Sequence, residues 1–292
     1  MSLDILYFKR KASTYNGFTP KIYQCKNSCR RSEFKAMDIP ATKAKMIDLT
    51  DRFCKKFGFR FIDVNSKDPL MLRDDSFIAI YNMSAPFTIT SLERMFALYQ
   101  SVKYVVSSNI EGDFVECGVW KGGSVMLMAL TLKEMGVKSK RIYLYDTFNG
   151  NPPPGKDEFL FSNGVSALFE YGDGRRGEWE APLSSVRENI AKTGYPLSNF
   201  EYVIGEVEKT LRERDRLPKK IAILRLDTDY YESTKTELEN LFPLLQKGGV
   251  LIIDDYGHYS GAKRAVDEYV SENNISILLN RIDYTGRIGV KT

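Results

Sequence analysis

Cysteine and histidine are scarce in this chain. Its 292 residues hold four cysteines, Cys25, Cys29, Cys54 and Cys117, and one histidine, His258. The cysteines are too sparse for a disulfide scaffold and lack the paired spacings of a zinc site. Cys25 and Cys29 stand close enough to form a metal or redox pair, a use that a lone histidine does not favour. Long apolar runs are missing as well. No stretch approaches the roughly 20 residues of a membrane-spanning helix, and Met1-Ser2-Leu3-Asp4 lacks the apolar centre of a signal peptide. The expectation is a cytoplasmic protein without a membrane partner. An excess of one charge is also absent, with 42 Lys+Arg against 38 Asp+Glu. The clusters Lys9-Arg10-Lys11, Arg30-Arg31 and Lys219-Lys220 are too short for a nucleic-acid footprint and read as solvated surface. The 43% hydrophobic content is ordinary for a soluble globular protein, and the length suits one α/β domain with an added segment.

The pattern along the chain divides it into residues 1–86 and 87–292. The first segment mixes basic, aromatic and polar residues, and helical spacing shows only from Ala41 to Phe57. It reads as an appendage serving as a lid, an oligomer contact or a wall for the substrate. A helix opens at Ser91 and runs to about Ser107. Beyond it, short apolar runs alternate with helical segments. Strands are expected at 113–117, 141–145, 200–204, 221–226 and 250–253, with helices at 122–135, 182–192, 206–214, 233–245 and 261–271. Two closing strands, 275–279 and 287–290, suggest an antiparallel edge. Repeated βαβ units imply a doubly wound, mainly parallel sheet that binds ligands at the carboxyl ends of its strands. The polar insertion from Asn149 to Gly177 is long for a compact domain and suggests a lid.

The densest chemistry lies in Asp227-Thr228-Asp229-Tyr230 and Asp254-Asp255-Tyr256, each following an apolar strand. Like charges held together resist burial unless a cation or proton compensates them, and magnesium is the natural compensator. The plain alternative is that each Asp caps a helix or shapes a turn. Earlier, the first strand runs through Glu116-Cys117-Gly118-Val119-Trp120-Lys121-Gly122-Gly123-Ser124 into a helix. Its glycines admit a ligand close to the backbone, and the helix start offers free N–H groups. Trp120 stands where a dinucleotide fingerprint needs Gly, and no Gly-Lys-Ser/Thr phosphate loop is present. Asp146 ends the second strand, where such folds present an acid to a ribose. An acidic wall of Glu116 and Asp146 would also suit a cationic sulfonium donor.

Phe114–Ser124, Asp146-Thr147-Phe148, Leu226–Thr234 and Gly248–Tyr256 together resemble the macrocin O-methyltransferase family, and Gly261–Asp267 and Tyr284–Arg287 extend the likeness. The resemblance covers roughly Ser91 to the C-terminus. It implies a class I, Rossmann-like methyltransferase fold, S-adenosylmethionine as donor, a divalent metal, usually Mg2+, and a sugar hydroxyl of a natural product as acceptor. Position by position, it implies metal ligation by Asp227, Asp254 and Asp255 and general-base catalysis by Asp229. Glu116, Gly118, Ser124, Asp146, Thr147 and Phe148 fall in its donor-binding motifs.

The expected partner is therefore a small-molecule or glycan acceptor, with a homo-oligomer as a further use of the N-terminal segment. A catechol or other aromatic O-methyltransferase is the alternative enzyme, and a catalytically silent scaffold the alternative of another class. His258 could support a metal ligand or act as a base, or simply lie in a surface loop. Tyr230 and Tyr231 could line the acceptor pocket or pack in the core. Trp120 reads as a packing residue.

Overall fold

A computed structural model describes residues 69–172 and 180–292. The helix expected at Ala41–Phe57, the pair Cys25 and Cys29, and the end of the polar insertion lie outside the described residues. The chain forms two compact units, Met1–Asp75 and Ser76–Thr292. In the first, helix α1 spans Pro69–Arg73. Helix α2, Asp75–Ser84, opens the second and buries Phe77, Ile80, Tyr81 and Ser84. The ring of Phe77 meets Phe96 edge to face at 4.9 Å and Tyr99 at 5.3 Å, both on helix α3 (Leu92–Ser107). This aromatic packing puts the unit boundary before the 86/87 division read from the sequence.

The sheet has seven strands in the order β3-β2-β1-β4-β5-β7-β6. Strands β1 (Asp113–Cys117), β2 (Ile142–Asp146), β3 (Phe200–Ile204), β4 (Ile221–Leu226) and β5 (Leu245–Ile253) run parallel. Strands β6 (Asn280–Arg281) and β7 (Arg287–Val290) close the edge antiparallel. The doubly wound, mainly parallel architecture is thus as expected. Burial explains the sequence pattern: all six residues of β4 are buried, which a sheet covered on both faces demands. Helix α4 (Gly123–Glu134) buries ten of its twelve residues and is apolar nearly all round.

Connections follow as α5 (Ala167–Gly172) and α6 (Leu183–Ala191) before β3, α7 (Val207–Thr210) before β4, α8 (Tyr231–Leu241) before β5, and α9 (Ser260–Glu272) after it. Helix α8 stops at Leu241 instead of continuing to 245, because Pro243 cannot donate a helical N–H and forces a tight turn, Phe242–Leu244. Strand β5 begins at Leu245, earlier than expected, and passes Gly248 and Gly249 with a register shift against β4. Residues 275–279 are not a strand. Ile275, Ile277 and Leu279 pack on the core without ladder bonds, and pairing is confined to Asn280 and Arg281 opposite Ile288 and Arg287.

Strand order reverses between β1 and β4, so a crevice opens outside their carboxyl ends. The segments after those ends, Gly118–Gly123 and Asp227–Tyr230, therefore meet. Asp227 N–H donates to Cys117 O at 2.9 Å across the seam. Among the described residues, no helix is long and apolar enough to cross a membrane.

Candidate active site

The turn after β1 is built on Asp146. Its Oδ2 accepts from the N–H groups of Val119 (2.6 Å) and Trp120 (3.1 Å), and its Oδ1 accepts from Phe148 N–H (2.7 Å). These bonds hold Trp120 and Phe148 at φ of 47° and 53°, conformations that side chains rarely adopt. Three accepted bonds use most of a carboxylate's roughly four lone-pair sites. Burial raises the Asp146 carboxyl, and the backbone N–H groups counter it. Thr147 caps the next turn, its hydroxyl donating to Gly150 O at 2.6 Å and accepting from Asn149 N–H. The Phe148 ring is buried and lies 6.4 Å from that of Tyr202. Gly118 has φ of 82°, and a Cβ there would lie 1.9 Å from Asp227 O. Only glycine lets β1 and β4 close at this point.

Glu116 does not face an open wall. It is 1% exposed, and its carboxylate pairs with Arg225 and with the buried Ser124 at the start of α4. Burial pushes Glu116 up to about 8 in spite of the guanidinium. Arg225 is itself fully buried in β4. Its Nη1 also donates to Asp227 Oδ2 (2.6 Å), and its Nη2 donates to Asp254 Oδ1 (2.5 Å) and Thr90 Oγ1 (3.2 Å). A second guanidinium, Arg94 in the first turn of α3, bonds Asp254 Oδ2 and, through Nε, Asp283 Oδ2 at 2.9 Å.

The four aspartates converge at the ends of β4 and β5. Asp227, Asp254 and Asp255 each bring an oxygen within 4.8 Å of the others. Asp229 is turned toward them at φ of 71° and accepts from Asn151 Nδ2 at 2.5 Å through Oδ2. Burial, then repulsion from neighbouring carboxylates, drives Asp229 and Asp255 well above the carboxylate range. Burial also pushes Asp227 up to about 7, although Arg225 opposes it. Counting Glu116 and Asp283, six carboxyl groups face two guanidiniums, and the raised pKa values mean that without a further cation several of the six keep protons. A hard divalent cation with a preference for oxygen ligands fits this donor set and this imbalance.

The insertion leans over the cluster. Besides Asn151, it brings Tyr171, whose hydroxyl donates to Asn151 O, and Glu170, which accepts from the Tyr259 hydroxyl at 3.2 Å. It is anchored by Glu158, which is buried and accepts from Gly155 and Tyr231 N–H, and by bridges from Phe159 to Ser166 and Leu160 to Tyr259. Among the described residues, 149–172 carry their own helix and are tied to the domain by these bonds. His258 lies half-buried after β5, its ring bonded to the Tyr284 hydroxyl and packed edge to face on Tyr259 at 4.6 Å. Burial lowers its pKa. Tyr230 packs with Leu160, Ala167, Tyr259 and Ala262, and the Tyr231 hydroxyl donates to Glu268 at 2.6 Å. Both tyrosines serve packing and helix pairing.

Arg94, Arg225, Asn151 and Asp283 join the site without belonging to any of the motifs read from the sequence as chemistry. Arg225 does carry a signal, as a charge inside the otherwise apolar run Ile221–Leu226, where burial without a partner would be prohibitive.

The parallel sheet with its antiparallel C-terminal edge, the glycine turn at the switch point and the acid at the end of β2 define a class I methyltransferase. The chain belongs to the macrocin-O-methyltransferase (TylF) family, whose profile matches residues 79–288, and is an S-adenosylmethionine-dependent O-methyltransferase. The 8-demethyl-8-(2,3-dimethoxy-alpha-L-rhamnosyl)-tetracenomycin-C 4'-O-methyltransferase of Streptomyces olivaceus is 34% identical over 203 residues, covering 70% of this chain and 75% of that protein. Demethyldecarbamoylnovobiocin O-methyltransferase of Streptomyces niveus is 32% identical over 199 residues, covering 68% and 73%. The mycinamicin III 3''-O-methyltransferase of Micromonospora griseorubida is 27% identical over 199 residues, covering 68% and 76%. Among solved structures, the O-methyltransferase NovP superposes with a TM-score of 0.64 at 31% identity, covering 70% of this chain and 82% of its own.

Proposed function

We propose that this enzyme transfers the methyl group of S-adenosylmethionine to a hydroxyl on the sugar of a glycosylated small molecule, a nucleotide sugar or a polysaccharide precursor. In this reading Asp227, Asp254 and Asp255 hold a divalent cation, magnesium first, and Asp229 is the general base. The observation that carries the reading is the convergence of these four carboxylates beside the glycine turn, at the switch point of the sheet. The sugar acceptor is supported by the relatives, two of which are named for methylating a rhamnosyl tetracenomycin and mycinamicin III.

When bound, the cation would acidify and orient the acceptor hydroxyl. The chain's own residues do the rest. Asn151 holds one oxygen of Asp229, and Asp229, once ionised, takes the hydroxyl proton as the oxygen attacks the methyl carbon and the carbon–sulfur bond breaks to leave the demethylated donor. Gly118 and the N–H groups at the start of α4 admit the donor close to the backbone, and Glu116, Ser124, Asp146, Thr147 and Phe148 shape that side of the crevice. The insertion excludes water from the acceptor side, and alignment of oxygen, carbon and sulfur supplies much of the rate.

The test is calorimetric titration of S-adenosylmethionine and its demethylated product, with magnesium and with chelator, followed by an acceptor screen of glycosides, nucleotide sugars and catechols. Donor binding and a glycoside product are expected, and Asp227→Ala should lose about 100-fold or more of the transfer rate while keeping its fold. Full activity in that variant removes the metal role. Methylation of catechols alone moves the assignment to an aromatic acceptor, and no donor binding leaves the scaffold.

A further inference from the structure

Both oxygens of Asp254 are already engaged. Oδ1 accepts from Arg225 and Oδ2 from Arg94, and the residue is 3% exposed. A cation that takes Asp254 as a ligand must therefore share an oxygen with one of the guanidiniums or displace it. Arg225 has no freedom to leave. It sits inside β4 with 2% of its side chain exposed, fixed by Glu116, Asp227, Asp254 and Thr90. Arg94 differs on each count. Its side chain is 14% exposed, and it has a second carboxylate outside the cluster in Asp283.

That second carboxylate is held ready. Asp283 accepts from Ser91 Oγ (2.7 Å), Thr285 N–H (2.9 Å) and Gly286 N–H (2.7 Å), so it stays in place whatever Arg94 does. Gly286 leaves room for the arginine stem, since a Cβ there would meet Arg94 Cδ at 2.8 Å. Ser91 serves twice, capping α3 through Arg94 N–H (3.1 Å) and tying the helix start to Asp283. The helix turn that carries Arg94 is thus pinned to its alternative partner.

We propose that Arg94 is a positioning residue that serves as the resident counter-cation of Asp254, releasing it to the divalent cation while remaining bound to Asp283. The proposal rests on the metal reading of the site. It gives the acid cluster a compensating charge before the cation arrives, and it sets cation affinity below what three carboxylates alone would give.

The test is calorimetric titration of MgCl2 and MnCl2 into the chelator-stripped full chain, with thermal unfolding measured in chelator and in magnesium. Arg94→Gln removes a unit charge and a competitor for Asp254, so its cation affinity should rise by about tenfold or more, and its magnesium-induced rise in Tm should exceed that of wild type. Arg94→Lys keeps the charge but not the two-armed reach, so its cation affinity should lie between those of wild type and Arg94→Gln. Equal or weaker cation binding in Arg94→Gln overturns the proposal and leaves the metal reading standing. No cation binding in any of the three proteins overturns both. Should Arg94→Gln fail to fold, Asp283→Asn asks the same question from the other side. With its outer anchor weakened, Arg94 should hold Asp254 harder and cation affinity should fall by about tenfold, and unchanged affinity overturns the proposal.

Discussion

Aspartates stand at strand ends on both sides of the crevice, in opposite surroundings. On the proposed donor side, Asp146 is alone and accepts three backbone N–H bonds, so its charge is spread over neutral dipoles that it organises into a turn. On the proposed acceptor side, Asp227, Asp229, Asp254 and Asp255 face one another, and protein cations reach only part of them. One residue type at equivalent places thus does two jobs. A carboxylate satisfied by the backbone builds structure, whereas crowded carboxylates hold an excess of charge that a ligand can relieve.

The comparison breaks most completely at Arg225, the residue that joins the two sides. Replacing it with Met leaves the buried Glu116 and Asp254 and the partly exposed Asp227 without their shared partner, and removing one member of a buried pair costs about 3–5 kcal/mol. Urea unfolding in chelator should show a loss of that size, with partial recovery in magnesium. A loss below about 1 kcal/mol would mean that the network is not a unit. Gly118→Ala strikes the seam itself. It combines a left-handed backbone with a Cβ 1.9 Å from Asp227 O, so strands β1 and β4 must separate. A loss of about 2–3 kcal/mol is expected, together with weakened binding of the demethylated donor. Retained donor affinity would show that the two sides tolerate separation.

The same substitution on each side should have opposite signs. Asp146→Asn loses at least one acceptor for the turn's N–H groups and should destabilise the fold by about 1–3 kcal/mol. Asp255→Asn removes a carboxylate that burial and the charges of Asp229, Asp227 and Asp254 oppose, so in chelator it should raise Tm by about 2–4 °C while weakening cation binding. Two losses, or two gains, would erase the distinction between the sides.

How far the sequence reveals this arrangement depends on the range of the interaction. Strands Asp113–Cys117, Phe200–Ile204, Ile221–Leu226 and Arg287–Val290 match the expected limits, because local apolar runs and their bounding turns determine them. The aspartates were legible for the same reason, as clusters next to each other in the chain. Their counter-charges were not. Arg225 reaches Glu116 across 109 residues, and Arg94 reaches Asp254 across 160 and Asp283 across 189, distances that only the strand order brings together. The 275–279 segment misled for a related reason. Its alternating isoleucines and leucines read as a strand, whereas the neighbour that would complete a ladder is present only from residue 280.

An effect of similar size, confined to high pH, lies just beneath the aspartate cluster. Glu237 on α8 is fully buried, its Oε1 accepting from the Thr228 hydroxyl at 2.8 Å and thereby steadying the loop between Asp227 and Asp229. Burial drives its carboxyl well above the ordinary 4.5, so the folded protein keeps a proton that the unfolded chain gives up. Since the folded state then binds more protons, its stability is fully present below about pH 4.5 and declines as pH rises toward the folded pKa. Glu237→Gln keeps the carbonyl acceptor for Thr228 and removes that linkage. Its Tm should match wild type near pH 4.5 and exceed it by about 2–4 °C at pH 8, flattening the profile. A variant less stable than wild type at every pH would show instead that the carboxyl is ionised in the fold and that its charge is part of the cluster above it.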